Sequence, residues 1–209
     1  NIDVTPMADG GEGTVDSILY STNGSKVYIE VTGPTGKKVE AYYGILHDSQ
    51  TVIIEIASIV GLTLVPDTAK HPLNLTTFGI GECVLHALDS GYRKFIFCLG
   101  GSATNDGGLG MLQALGVKLM DQDGNPVSIY STSLSKVKRA DYTGLDKRIK
   151  ESQIKIASDV TNTLFGENGA TYIFGPQKGL KEYELSKIDK EIKDFSLVIE
   201  KHLGIEFHC

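Results

Sequence analysis

The sequence has no Cys-x-x-Cys pair, and its three cysteines, Cys83, Cys98 and Cys209, are odd in number and widely spaced. That excludes a disulfide framework and a cysteine zinc site. Cys83 and Cys98 lie in apolar runs and read as small buried hydrophobes. The histidines also lack ligand spacing: His47, His71 and His86 are scattered, and His202 and His208 stand near the end. Each reads as structural or surface, and His71, beside Pro72 in a polar loop, is the one open to a further role. There is no surplus of positive charge, with 20 Lys and Arg against 26 Asp and Glu. An extended nucleic-acid surface is therefore not expected, although a locally positive anion site remains compatible. No apolar run approaches the roughly 18 residues that a membrane span needs. No basic-then-apolar leader opens the sequence, so a cytoplasmic protein is expected. Two nucleotide signatures are missing as well: no Gly-Lys-Ser/Thr follows a glycine loop, and no Gly-x-Gly-x-x-Gly occurs.

What is present is an ordinary globular composition, 41% apolar and 22% charged over 209 residues. That is enough for a substantial core in one domain, or one and a fraction. The chain is organised around Gly100-Gly101-Ser102-Ala103-Thr104-Asn105-Asp106-Gly107-Gly108, which follows the apolar run Lys94–Leu99 and passes into a helical pattern ending at Gly116. The order is strand, glycine-rich loop, helix. Glycines let main-chain N–H groups approach an anion, and a helix dipole adds attraction. Ser102, Thr104, Asn105 and Asp106 add hydroxyl, amide and carboxylate groups that suit a small polar substrate or a magnesium ion.

Asp9-Gly10-Gly11-Glu12-Gly13 repeats the Asp-Gly-Gly-x-Gly pattern of Asp106 to Gly110, but the flanks differ and no repeated domain is inferred. The two loops can face one cleft. They can equally be tight turns in which Asp9 or Asp106 caps a helix. A chain that opens at Asn1, with such a loop so near the start, is expected to be a fragment.

Between the loops, Thr14–Tyr20 reads as a short helix, and Lys26–Val31 with Val39–Leu46 as a hairpin through Gly33-Pro34-Thr35-Gly36. Thr51–Ile56 reads as a buried strand whose Glu55 needs a partner, as a site residue or as a paired structural acid. Thr76 or Thr77 suits the N-cap of a helix stopped by Gly91. Val117–Met120 and Ile154–Ala157 read as strands, separated by a polar stretch of little pattern up to Ser152. Asp159 and Asn162 follow a strand end, where ligands collect in α/β folds. Lys178, in the turn Gly175-Pro176-Gln177-Lys178-Gly179, suits either a phosphate contact or a solvated turn. Leu185, Ile188, Ile192, Phe195 and Ile199 step by three and four, as on the core face of a helix.

Together these segments resemble the bacterial glycerate kinase family, which shares no motif with P-loop or protein kinases. The resemblance rests on Pro6-Met7-Ala8-Asp9-Gly10-Gly11-Glu12-Gly13-Thr14, on Glu55-Ile56-Ala57-Ser58 with Gly61-Leu62 and Leu64-Val65-Pro66, and on Thr76-Thr77-Phe78-Gly79-x-Gly81-Glu82. It continues through Gly100–Gly116, Asp159-Val160-x-Asn162, Gly169-Ala170 and Phe174-Gly175-Pro176-Gln177-Lys178-Gly179. Two positions depart from the family pattern: Thr163 stands where proline is expected, and Ser158 where cysteine is frequent. Family members are also nearly twice as long, with an Asp-Ser-Phe-Lys-Gly segment before, and a glycine-rich motif after, the part seen here.

The resemblance implies an α/β fold with a mixed sheet, the inserted domain of a two-domain glycerate-kinase-like architecture whose Rossmann-like domain lies partly outside this chain. Residues 1–22 would end that Rossmann-like domain and cross over, and residues 23–209 would form the inserted domain. The implied activity is transfer of the ATP γ-phosphoryl to D-glycerate, giving 2-phosphoglycerate or 3-phosphoglycerate, with ATP and Mg²⁺ as cofactors. Asp9, Asp106 and Lys178 are the catalytic candidates. Gly10, Gly11, Gly13, Gly100, Gly101, Ser102, Thr104, Asn105, Gly107, Gly108 and Asn162 are candidates to bind substrate or phosphate, and Asp106 and Asp159 to hold metal. Small molecules are the expected partners, with a homodimer an allowed assembly. The competing readings are a magnesium-dependent phosphatase or hydrolase, and a non-catalytic anion-binding domain.

Overall fold

The structure, a computed structural model, describes residues 6–48 and 50–203, with side chains described up to residue 201. Thr5, His208 and Cys209 lie outside the described residues, as does the side chain of His202.

The expected hairpin forms where its turn residues require it. Gly33 N–H donates to the Lys37 carbonyl at 2.7 Å, and Gly36 takes a left-handed φ of 84°. Strand β1 (Ser25–Thr32) thereby pairs antiparallel with β2 (Lys38–Ile45), Val31 opposite Val39. Strand β3 (Thr51–Glu55) pairs antiparallel with β2. Beyond it the chain crosses over through a one-turn helix α2 (Ala57–Val60), three short 3-10 turns and helix α3 (Phe78–Asp89), returning as β4 (Lys94–Cys98). Strand β4 lies parallel to β3 with Glu55 opposite Cys98, the arrangement that a helical crossover permits.

After the central loop and helix α4 (Leu109–Ala114), a two-stranded antiparallel ribbon of β5 (Lys118–Met120) and β6 (Arg139–Asp141) leads to β7 (Gln153–Ala157), parallel to β4. The main sheet therefore runs β1-β2-β3-β4-β7 and is mixed, as expected. The polar stretch before Ser152, which carried little pattern, supplies β6 and two 3-10 segments. The apolar segment Ala170–Phe174 is a short helix, α5, and α6 spans Glu182–Leu203.

Both sheet faces are covered. Ile80, Val84, Ala87 and Leu88 of α3 pack with Ile54, Phe95 and Phe97. On the other face Val15 and Leu19 of α1 (Thr14–Thr22) pack with Ile53 and Cys98. Ile192, Phe195 and Ile199 of α6 close a third cluster against Leu109, Leu119 and Leu134, so the α6 stripe is core packing. Burial of one such side chain contributes roughly 1.5–3 kcal/mol. Cys83 and Cys98 are free and buried, as their apolar surroundings implied. Burial pushes their thiols up to about 12 and about 11, the nearby Glu55 adding to the effect on Cys98, which keeps both unreactive. The edge strand β7 is the thinly covered part of the sheet, with Ile154 47% and Ile156 58% exposed.

Candidate functional site

Strands β3, β4 and β7 run parallel, so their carboxyl ends open on one side of the sheet, and the loops that follow them meet there. The Asp9–Gly13 loop meets the Gly100–Gly101 segment main chain to main chain. A Cβ on Gly100 would stand 2.5 Å from the Gly11 nitrogen and 2.7 Å from the Gly10 carbonyl carbon, which only glycine avoids. Across the same junction, a Cβ on Gly101 would stand 2.5 Å from Glu12 Oε2. The two loops thus share one cleft of about 770 Å³. Its lining includes Asp9, Gly11 and Glu12 from the first loop, Gly100, Gly101 and Ser102 from the second, Ser158, Asp159 and Asn162 after β7, and Gln177 and Lys178.

The central loop divides in two. Its first half, Gly100 to Ser102, faces the cleft. Its second half turns inward around Asp106, which is 2% exposed. The Asp106 carboxylate accepts from Thr77 Oγ1 at 2.7 Å, Thr77 N–H at 3.1 Å, Gly108 N–H at 3.0 Å and Gly110 N–H at 3.3 Å. Burial pushes this carboxyl up against the downward pull of its four donors. The Gly108 and Gly110 N–H groups at the start of α4 are therefore bonded to Asp106 itself, Oδ2 accepting three of the four bonds and Oδ1 one. Gly107 and Gly108, at φ 57° and 80°, make that inward turn. Asn105 is buried with them and donates to Thr171 Oγ1 at 3.1 Å, in α5. Of the polar residues expected to meet a ligand in this loop, Ser102 lines the cleft, while Asn105 and Asp106 bond to protein groups behind it.

The first loop has a comparable internal scaffold. Gly10 N–H donates to Thr14 Oγ1 at 3.0 Å and Gly11 N–H to Asp9 Oδ1 at 3.0 Å. Gly10 and Gly13 take left-handed φ values of 97° and 86°, Gly13 serving as the N-cap of α1. Glu55, 2% exposed at the end of β3, accepts from Val15 N–H at 3.0 Å, so the acid in the apolar strand is paired to the first turn of α1. Asp9 itself remains exposed on the cleft.

Lys178 is 9% exposed. Its ammonium donates to the Thr104 carbonyl at 2.7 Å and to Ser102 Oγ at 3.1 Å, and no carboxylate among the described residues lies within ion-pair distance. Desolvation lowers it to about 8, the more distant Asp106 pulling the other way. The turn that carries it is braced by the loop before α3. Gly179, at φ 104°, packs on the Lys70 carbonyl, and His71 Nε2 meets Glu184 Oε1 at 3.1 Å. That contact gives His71 a structural role. Asn162 lies at the rim, its amide donating to the Asn168 carbonyl at 2.9 Å.

Among the described residues no three His, Cys, Asp or Glu side chains converge as a metal cluster. Mg²⁺ does not require one, being commonly held by one or two carboxylates with substrate phosphates and water. Asp9 and Asp159 line the cleft and fit that pattern, whereas Asp106 lies buried behind it. Glu12, Ser158 and Gln177 also line the cleft, beyond the residues whose motifs point to a site. Glu12 and Gln177 sit inside the two loop motifs, and their positions next to Gly11 and Lys178 were the available signal.

The fold is thus a mixed α/β sheet that carries glycine loops and a buried cation at its strand carboxyl ends. The family model described as the glycerate kinase family matches residues 1–208, and the chain belongs to that family. It is 47% identical over 201 residues to glycerate 2-kinase of Escherichia coli (strain K12), covering 96% of this chain and 53% of that protein. To glycerate kinase of Bacillus subtilis (strain 168) it is 45% identical over 202 residues, covering 97% and 53%. It superposes with a TM-score of 0.91 and 43% identity on the crystal structure of a Salmonella typhimurium LT2 protein assigned as glycerate kinase 2, covering 97% of this chain and 54% of that one. The chain thus spans about half the length of these relatives. No described helix is long and apolar enough to cross a membrane.

Proposed function

We propose that this chain supplies the phosphoryl-transfer cleft of an ATP-dependent glycerate kinase, which phosphorylates D-glycerate to 2-phosphoglycerate or 3-phosphoglycerate. The observation that carries the reading is the meeting of the Asp9–Gly13 loop with the Gly100–Ser102 segment at one cleft, in a chain of this family. Phosphoryl transfer asks a protein mainly to position two substrates and to neutralise charge. Gly11, Gly100 and Gly101 give the cleft a side-chain-free wall on which phosphate or glycerate oxygens approach the main chain, and Gly10 and Gly13 shape the first loop. Asp9 orients the acceptor hydroxyl and takes up its proton. Asp159 would hold Mg²⁺, which supplies charge neutralisation on the phosphates. Lys178 contributes the cation, and Asn162 borders the entrance. Asp106, Thr104, Asn105, Gly107 and Gly108 act from behind by holding the loop.

The proposed division places residues 1–22 with a Rossmann-like domain and residues 23–209 in the inserted one, within a cytoplasmic enzyme for which a homodimer is compatible. The test is a coupled ATP-to-ADP assay on the full-length polypeptide with Mg²⁺ and D-glycerate, with the product's phosphate position read by ³¹P NMR. Glycerate-dependent ADP release supports the reading and assigns the position. A folded, full-length protein that releases none overturns it.

A further inference from the structure

We propose that Lys178 Nζ and Ser102 Oγ form a fixed oxyanion seat in the wall of the cleft, one that takes a carboxylate or phosphate oxygen of a bound small molecule. The inference rests on the proposed function only in placing the ligand in this cleft. An ammonium nine-tenths buried needs a counter-charge or a full set of acceptors. Lys178 has three N–H donors, and the protein supplies two neutral acceptors, the Thr104 carbonyl and Ser102 Oγ. Among the described residues it has no ion pair, and the nearest influential carboxylate, that of Asp106, is already shared by four other donors.

The placement is also rigid. Gly175 N–H donates to the Thr171 carbonyl at 3.0 Å, and Lys178 N–H to the Gly175 carbonyl at 3.0 Å. Ser102 is tied by a β-bridge to Gly61, and Ala103 N–H donates to the Val60 carbonyl at 2.8 Å. Two separate segments therefore hold an ammonium and a hydroxyl together at a cleft wall, where both line the space that a ligand enters. A turn lysine with no ligand task would extend into water, where its charge costs little. This one is folded inward onto neutral oxygens and leaves a donor for a guest. Charge-assisted contacts of this kind are the strong ones in anion recognition.

The test uses the full-length protein with inorganic phosphate and, separately, D-glycerate, followed by ¹H–¹⁵N NMR and calorimetry. Saturable binding of either anion, with shifts at Gly100, Gly101 and Ser102, is expected. Lys178→Met should weaken that binding by about tenfold or more, Lys178→Arg should retain part of it, and Ser102→Ala should weaken it by about threefold. Binding of phosphate alone identifies a phosphate seat, and binding of glycerate alone a carboxylate seat. Neither anion binding, or equal binding by Lys178→Met and Ser102→Ala, overturns the proposal. Because phosphate binding is read without turnover, the seat can stand if glycerate kinase activity fails. The kinase reading likewise stands if the unaltered full-length protein turns over D-glycerate while neither anion's binding depends on Lys178.

Discussion

Thr77 donates twice to one oxygen of Asp106, through Oγ1 at 2.7 Å and through its main-chain N–H at 3.1 Å. Through Thr77 Oγ1, which also accepts from Met111 N–H at 3.0 Å, the pair joins the start of α3 to the start of α4 and sets the direction in which the central loop leaves β4.

Asp106→Asn replaces an acceptor of four donors with an amide that presents N–H groups to some of them. The expected cost is about 2–3 kcal/mol of unfolding free energy, read from the midpoint of urea denaturation. A variant of unchanged stability that loses all turnover in the full-length enzyme would give Asp106 a chemical role in place of this structural one.

Glu55 ties β3 to α1 by accepting from Val15 N–H. Glu55→Ala leaves that N–H without its acceptor and should cost about 1–2 kcal/mol, while Glu55→Gln, which can still accept, should cost less. Amide hydrogen exchange at Val15 would report the difference directly, and equal protection in both variants would contradict it.

Gly100 and Gly13 are required for different reasons, and alanine at each should show it. At Gly100 the added Cβ meets main-chain atoms of Gly10 and Gly11, which cannot rotate away, so about 1–3 kcal/mol of strain or a separation of the two loops is expected. At Gly13 nothing lies within 4 Å and the cost comes from the φ of 86°, about 1–2 kcal/mol. Gly100→Ala should therefore impair anion binding as well as stability, and Gly13→Ala mainly stability. Thermal melting with phosphate isotherms separates them.

The lowered Lys178 sets a pH window. Below about 8 the folded and unfolded chains both hold its proton; between about 8 and the ordinary 10.5 the unfolded chain holds it and the folded chain releases it. The unfolded state then binds more protons, so the contribution of this group to stability rises with pH across that window. Phosphate affinity should move oppositely and fall above about pH 8, as the ammonium is lost. Melting curves and isotherms at about pH 7 and about pH 9 test both signs, and Lys178→Met should flatten both.

Much of the fold is legible in the residues because it depends on local periodicity and turn chemistry. The three-and-four spacing from Leu185 to Ile199 makes a helix with a core face, and Gly33 to Gly36 make a hairpin turn. The short helix at Ala170–Phe174 was not legible, since five residues are too few for a helical period to declare itself. Strand β6, three residues in a polar stretch, takes its identity from pairing with β5. The cleft was legible as a set of loops at strand ends. Its membership was legible only in part: Glu12 and Gln177 stand beside Gly11 and Lys178, but adjacency does not separate a lining residue from a solvated one, and Ser158 lacks even that signal.

Asp9 and Asp106 show where the boundary falls. The sequence determines that each begins an Asp-Gly-Gly-x-Gly turn, since the glycines supply the left-handed conformations and the aspartate a local acceptor. Only the tertiary structure decides their fates. Asp106 is covered by Thr77 and the crossing of α3 with α4 and is spent on four hydrogen bonds, whereas Asp9 has no such element over it and stays exposed on the cleft. Burial and donor supply come from residues distant in the chain, and a motif read along the backbone contains neither.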